Sequence, residues 1–545
     1  MKKYVIGIDY GTLAARCILV DAENGKEISE SVMNYPHGVI DEKLPCGEKL
    51  PPNYALQNPK DYIDVLSFTV RDTLKKAGVS AEDVVGIGVD FTACTLLPID
   101  ENGNPLCMKK EYENEKHAYV KLWKHHAAQD EADAITTLAQ KRGEAWLSNY
   151  GGRISSEWML PKILEVLREC PDIYEKTYRF TEAADWLSLM LTGKETHSAV
   201  FAGYKGLWSA KYGYPSNEFL KGLDSRLDGI VGSKISTEVL TMDKNAGYLN
   251  ARGASITGLK EGTPVALPMI DAHAAMPALN IVDKGDLMLI IGTSSCHILN
   301  AGEEKEVDGI CGFVKDGVIP GLCTYEAGQA GVGDIFDWFV KNSIPQQYAD
   351  EAKEKGIGLH KLLREKAKAQ KPGESGLIAL DWWNGNRSIL GDSNLSGMLV
   401  GMTLQTKPED IYRALIEATA YGLRIIVNQY EKCEIEIKNI VAAGGIAQKD
   451  EMLMQIYSDV LNREISVAGT SQAGALGSAI YAAVASGVYK SVKDAAAKLS
   501  KPHAKVYKPN PENAKIYDTL YSEYKTLHDY FGKENSVMKK LQKMK

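Results

Sequence analysis

A short apolar strand running directly into a glycine–hydroxyl turn occurs twice in this chain, and that doubling restricts the fold more than any other feature. Tyr4–Asp9 leads into Tyr10-Gly11-Thr12, and Asp286–Ile291 leads into Gly292-Thr293-Ser294-Ser295. Glycine at a hairpin tip lets another group approach the backbone closely, and the neighbouring hydroxyls add donors. Each turn opens a strand-rich stretch. After the first come strands over Arg16–Val20 and Glu27–Tyr35, then a helix opened by Pro59 and Asp61 that ends near Gly78. A nearly all-apolar strand, Val84–Phe91, follows, of the kind buried on both faces. After the second turn come a strand over Cys296–Asn300 and a long helix, Pro408–Tyr430, with Glu409 and Asp410 at its positive end. A short strand Ile440–Ala443 then enters Gly444-Gly445, and an alanine-rich helix spans Ala473–Ser486. Between the two starts, residues from about 115 to 260 read as mostly helical and Pro264–Ile270 as an apolar strand. The pattern predicts an α/β chain of two similar halves, residues 1–280 and 285–530, facing a cleft, with the boundary at Asn280–Gly285.

Composition narrows the partners. A chain of 545 residues exceeds one simple core. Its net charge is −8 and it has no face-sized basic run, which argues against nucleic acid and anionic membranes. Asp9 interrupts the apolar start too early for a signal peptide. The longest uncharged stretch, Ile465–Tyr489, contains four glycines and is too weakly apolar for a membrane span. Nine scattered cysteines without a CxxC pair predict reduced thiols in a cytoplasmic protein. The lysine-rich stretch from Lys533 reads as a solvated helix end or a frayed tail.

The chain lacks a GxxxxGK[ST] loop and the HRD and DFG strings of protein kinases, so any ATP must be held another way. Asp9, Gly11, Thr12 and Arg16 offer a carboxylate for hydrated Mg²⁺, a turn and a cation; the same residues also suit a plain structural hairpin. Gly292, Thr293 and Ser294 repeat that logic, so two hairpins could clamp phosphates from opposite sides. Asp271 follows an apolar strand at the junction of the halves, where it suits either a base that orients an attacking hydroxyl or a helix N-cap. Gly444 and Gly445 end a buried strand, where a flat base could lie on the backbone, although any strand–helix junction can use glycine. His125 and His126 point about 100° apart on a helix and suit solvent or packing better than a shared metal.

Taken in order, these residues resemble the FGGY carbohydrate kinase family, over nearly the whole chain from Tyr4 to about Ser486. The first and second hairpins look like its two phosphate motifs, and Gly444-Gly445 with Gln448 looks like its adenosine motif. Gly401-Met402 with Asp410-Ile411 and Ala414-Leu415-Ile416-Glu417 is similar to its C-terminal signature. Within the family, six strings resemble the ribulokinase branch: Gly88–Thr95, Leu122–His126, Ser155–Trp158, Ala202–Trp208, Gly309–Gly312 and Glu326–Gln329. The resemblance implies two actin-like (ribonuclease H-like) ATPase domains around a central cleft, with ATP and Mg²⁺ as cofactors. It implies Asp271 as catalytic base, a ketopentose held by Ala93, Lys205, Asp271 and Glu326, and Asp9 on the metal. The expected reaction is phosphorylation of L-ribulose at O5, and a homodimer is compatible with it. Kinases for xylulose, D-ribulose or glycerol are alternatives. So is a nucleotide-driven chaperone or filament protein of the same fold, against which Lys205, Glu326 and Asp271 argue.

Overall fold

The computed structural model describes every residue except Met1, Pro502, Lys543 and Lys545. Strands β1 (Tyr4–Tyr10), β2 (Ala14–Asp21) and β3 (Glu27–Asn34) form an antiparallel meander. Helix α1 (Pro59–Ala77) then crosses the sheet. The Asn58 side chain accepts from the Lys60 N–H at its start, Pro59 fills its first turn, and Gly78 ends it in the left-handed region. The chain returns in β4 (Val84–Phe91), parallel to β1. Helices α2 (Met159–Glu169) and α3 (Ala199–Lys205) follow, then β5 (Asn245–Tyr248), β6 (Pro264–Ala266) and β7 (Met269–Ile270). The sheet order is β5-β6-β4-β1-β2-β3, with β7 also paired to β4. The single strand expected over Pro264–Ile270 is therefore two short ones, because Pro268 in the gap has no N–H for a ladder. Helix α4 (Asp271–Ala278) starts directly after β7.

The regular structure between residues 115 and 260 is mostly helical, as expected, but short strands are present too. Val120–Lys121 and Arg179–Glu182 join Leu56–Gln57 and Leu96–Ile99 in a separate four-stranded sheet with its own apolar core.

The second half begins with β8 (Asp286–Ile291), β9 (Ser295–Ala301), β10 (Gly312–Lys315) and β11 (Cys323–Gln329). Helix α5 (Pro408–Lys432), β12 (Asn439–Ala443), α6 (Gly445–Lys449) and β13 (Ile465–Val467) follow. Helices α7 (Ala473–Ala485) and α8 (Val492–Leu499) and strand β14 (Lys505–Tyr507) come next. This sheet runs β10-β11-β9-β8-β12-β13-β14. Its central order, β11-β9-β8-β12-β13, matches β3-β2-β1-β4-β6 of the first sheet. In both, three antiparallel strands are followed by two parallel ones. That is the duplication the doubled hairpin predicted, in the ribonuclease H-like form the family resemblance implied. Strand β11 was not foreseen, since its glycine and glutamate interrupt an apolar pattern.

Helices α7 and α8 lie in sequence between β13 and β14 of the second sheet but pack into the first core. The reason is a set of glycines. A Cβ on Gly7 would lie 1.8 Å from the Ala475 carbonyl oxygen, one on Gly88 2.1 Å from that of Ser478, and one on Gly86 2.5 Å from that of Ala482. The helix backbone thus rests directly on β1 and β4. On another side of α7, a Cβ on Gly477 would lie 1.6 Å from the Ala274 oxygen, so α4 and α7 also touch backbone to backbone.

The lysine-rich end is packed rather than frayed over its described part: Met538 is buried and Lys539 pairs with Asp392 at 2.6 Å, while Lys543 and Lys545 lie outside the described residues. Among the described residues, no helix is long and apolar enough to cross a membrane.

Candidate active site

The register of β1 against β4 aligns Gly7 with Gly88, Ile8 with Val89, Asp9 with Asp90 and Tyr10 with Phe91. Strand side chains alternate in direction, so Asp9 and Asp90 point to the same face as the glycines, toward α7. The positive N-terminal end of α7 meets them there: a Cβ on Gly474 would lie 3.2 Å from Asp9 Oδ2 and 3.4 Å from Asp90 Oδ1. Ser478 Oγ donates to Asp90 Oδ2 at 2.6 Å, whereas Asp90 Oδ1 is buried without a hydrogen-bond partner. Burial raises both carboxyls above their usual range. The charge of Asp9 pushes Asp90 further up, while Asp90 and Arg16, its partner across the β1–β2 hairpin, hold Asp9 back. A buried carboxylate pair with one free oxygen fits the demands of a hydrated Mg²⁺, which takes one or two carboxylates and keeps several waters.

Asp271 is the third acid. It follows β7, whose Ile270 pairs with Phe91 at the end of β4. It is the first residue of α4 and not its cap, which is Ile270; its Oδ1 accepts from the adjacent Ala272 N–H at 2.6 Å. Burial, and then the charge of Asp9, raises Asp271 to about 7, against the opposing effects of the Ala272 N–H and Lys205.

Facing it is an ion pair between the halves. Lys205 Nζ, at the end of α3, lies 3.1 Å from Glu326 Oε1 on β11. Burial alone would lower Lys205, but Glu326 outweighs it and raises the ammonium above its usual value; Glu326, burial notwithstanding, is held below its own by Lys205. Both are therefore charged. His273, two residues beyond Asp271, is buried 3.7 Å from Glu326 Oε2 with neither ring nitrogen hydrogen-bonded, and burial lowers it to about 4. Ala93 lies in the loop that leaves β4, partly buried beside Cys94, which adopts φ +58°.

The first hairpin closes through a Gly11 N–H to Ala14 carbonyl bond of 3.0 Å. Tyr35 O–H donates to the Gly11 carbonyl at 2.8 Å, Gln57 Nε2 to the Thr12 carbonyl at 2.8 Å, and Trp123 Nε1 to Thr12 Oγ1 at 3.1 Å. The second closes through the Gly292 N–H to the Ser294 carbonyl at 2.9 Å, and the Val332 N–H braces it on the Thr293 carbonyl. Gly11 and Gly292 have room for a side chain, so packing does not require glycine at either. Gly444 differs: it has φ +94°, and a Cβ there would lie 2.5 Å from the Ile291 oxygen. Gly445 is open, and Gln448 Nε2 donates to the Thr470 carbonyl at 3.0 Å, bracing the loop that leads into α7.

The geometry thus gathers Asp9, Arg16 and Asp271 at one strand end, with Lys205 and Glu326 close by, and sets Gly292 and Gly444 at the corresponding end of the second sheet. The two histidines stay outside it. His125 is buried on Glu165 at 2.9 Å and His126 is exposed. Sequence reasoning missed Asp90, His273 and Gly474. For Asp90 a signal existed: Gly7-Ile8-Asp9-Tyr10 and Gly88-Val89-Asp90-Phe91 are the same pattern on neighbouring strands.

The N-terminal domain of the FGGY family of carbohydrate kinases matches residues 4–276, and its C-terminal domain matches residues 287–486. The chain belongs to the FGGY family of carbohydrate kinases. It is therefore a sugar kinase, and as an FGGY kinase it uses ATP. It is 52% identical to a ribulokinase of Halalkalibacterium halodurans over an alignment of 549 residues that covers 100% of this chain and 98% of the relative. A ribulokinase of Geobacillus thermodenitrificans is 50% identical, with 100% and 97% covered. Among solved structures, a xylulose kinase from Rhodospirillum rubrum superposes with a TM-score of 0.81 at 22% identity, covering 96% of this chain and 98% of that one. At that identity the likeness establishes the two-domain actin-like fold of this FGGY kinase and nothing finer.

Proposed function

We propose that this enzyme transfers the γ-phosphoryl group of ATP to O5 of L-ribulose, giving L-ribulose 5-phosphate and ADP, as in L-arabinose breakdown. The observation that carries the reading is the Lys205–Glu326 pair facing Asp271, two charged groups and a base converging where a polyol can lie. The ribulokinases aligned over the full chain supply the substrate class.

In this reading Asp271 accepts a hydrogen bond from the sugar O5–H. As O5 bonds to the γ-phosphorus and the bond to the ADP oxygen breaks, the proton passes to Asp271. A base near neutrality suits that late transfer. Lys205 donates to sugar hydroxyls and Glu326 accepts from them, with Ala93 leaving room for the chain. The hairpins at Gly11–Thr12 and Gly292–Ser294 present N–H and hydroxyl donors to the phosphates, with Arg16 beside the first. Gly444 and Gly445 leave bare backbone for the adenosine, with Gln448 behind them. Asp9, with Asp90, would hold Mg²⁺, which when bound neutralises phosphate charge. The lobes, 1–280 and 285–530 by sequence, would close on the sugar and exclude water. A cytoplasmic location belongs to the same reading, since the reaction draws on the ATP pool.

The test is coupled ADP release with L-ribulose, D-ribulose, D-xylulose, L-xylulose and glycerol. L-Ribulose is expected to give the highest kcat/KM. Glycerol or D-xylulose ahead by about tenfold, a difference of roughly 1.4 kcal/mol, would overturn the substrate assignment and leave the kinase intact.

A further inference from the structure

Two buried lysines on neighbouring elements behind the sugar side end in different company. Lys121 Nζ lies 3.1 Å from Glu165 and 3.2 Å from His117 Nδ1, so it has a counter-ion. Its ammonium thus occupies the neighbourhood of His117 and Glu165, which with Glu169 form a group whose ligand atoms lie within 4.8 Å of one another. Lys162, on α2, is fully buried and makes no ion pair among the described residues. Its Nζ donates only to main-chain carbonyls: Cys94 at 2.6 Å, Leu122 at 2.9 Å and Lys121 at 3.3 Å. Burial lowers its affinity for a proton, which the charges of Glu182 and Glu157 offset only in part.

Those carbonyls belong to two separate segments. One is the Thr92–Thr95 loop that carries Ala93. The ends of that loop are held by their own bonds: the Thr92 N–H donates to the Tyr10 carbonyl at 3.2 Å, the Thr95 N–H to the buried Glu182 at 2.8 Å, and the Ala183 N–H to the Thr95 carbonyl at 2.7 Å. At its tip Cys94 sits in the left-handed region without being glycine, and its carbonyl accepts from Lys162. The other segment carries Trp123, whose indole reaches Thr12 of the first hairpin. We propose that Lys162 is a positioning residue, a single ammonium that ties the Ala93 loop to the Trp123 segment and so fixes the wall of the sugar site. An ammonium with three donors can satisfy three carbonyls at once, which no neutral side chain of this length does. Lys121 by contrast is paired with a carboxylate, whereas the donors of Lys162 all go to backbone carbonyls of two segments.

The proposal rests on Ala93 lining the sugar site, so the test uses whichever sugar the unaltered enzyme turns over best. A wrong guess about which ketopentose that is then shows in the substrate panel and not here. Lys162→Met keeps length and removes the donors; Lys162→Gln keeps a shorter neutral donor. For Lys162→Met, sugar kcat/KM is expected to fall by about 10- to 100-fold, mostly through KM, the range for losing hydrogen bonds to a charged group. Lys162→Gln should recover part of that loss. KM for ATP should change by less than about threefold in both, because the hairpin keeps its Gly11–Ala14 and Gln57–Thr12 bonds. If Lys162→Met does not fold, Lys162→Gln alone decides by the same split between sugar and ATP. A sugar kcat/KM within about threefold of the parent, or equal losses for sugar and ATP, would overturn the proposal.

Discussion

The two sheets share one strand order yet end in opposite chemistry. At the end of β1 and β4 the paired residues are Asp9 and Asp90. At the end of β8 and β12 they are Ile290 and Ala443, followed by Gly444, whose missing side chain lets β12 pass within contact of the Ile291 carbonyl. One strand end gathers buried carboxyl groups; the other offers bare backbone. A duplicated fold therefore gives two chemically different strand ends; in the proposed reading the acidic one serves the cation and the proton transfer and the bare one the adenosine, with a phosphate hairpin beside each. The asymmetry rests on a few side chains and leaves the ladder untouched.

The strongest way to break this comparison is to remove the base from the acidic side. Asp271→Asn is expected to lower kcat by about 10²- to 10⁴-fold while calorimetry finds ATP affinity nearly unchanged. Near-normal turnover would take Asp271 out of the chemistry. The backbone side is sharpened by Gly292→Val and, on the first hairpin, Gly11→Val. Both positions have room for a side chain, so melting temperature should hold, while ATP binding weakens by about tenfold or more. Unchanged ATP affinity would make these turns structural only.

Gly7→Ala supplies the contrasting case. Its Cβ would meet the Ala475 carbonyl at 1.8 Å, so the expected loss is in stability, about 3 kcal/mol or more, read from denaturant unfolding. If Gly7→Ala is tolerated, α7 does not lie on the sheet as described. The smallest effect is that of pH. With Asp271 raised to about 7, sugar kcat/KM should decline as pH falls through that value and the base takes up a proton. Heat stability of the unliganded enzyme should run the other way. The advantage of a protonated Asp271 is present below its unfolded value of 3.8 and is lost as pH rises through about 7. A kcat/KM profile flat from about pH 6 to 8 would argue against Asp271 as the base.

How much of this could be read from the chain depends on the range of the interaction. Alternation, capping and the glycine–hydroxyl turns are local, so β1, β4, β8, α1 and both hairpins were legible, and the family strings carried Lys205, Asp271 and Glu326. The order of residues also held the repeated Gly-x-Asp pattern that marks Asp90, but its meaning needs the register that sets Asp9 beside Asp90. Which sheet α7 covers is absent from its own sequence. An alanine-rich helix can pack against many surfaces, and only the glycines at 7, 86 and 88, hundreds of residues away, leave a surface where its backbone can lie. The same holds for the elevated proton affinity of Asp271 and the buried ammonium of Lys162. Sequence specifies the ionisable group, whereas its charge state is set by desolvation and by neighbours that only the folded chain brings within a few ångströms.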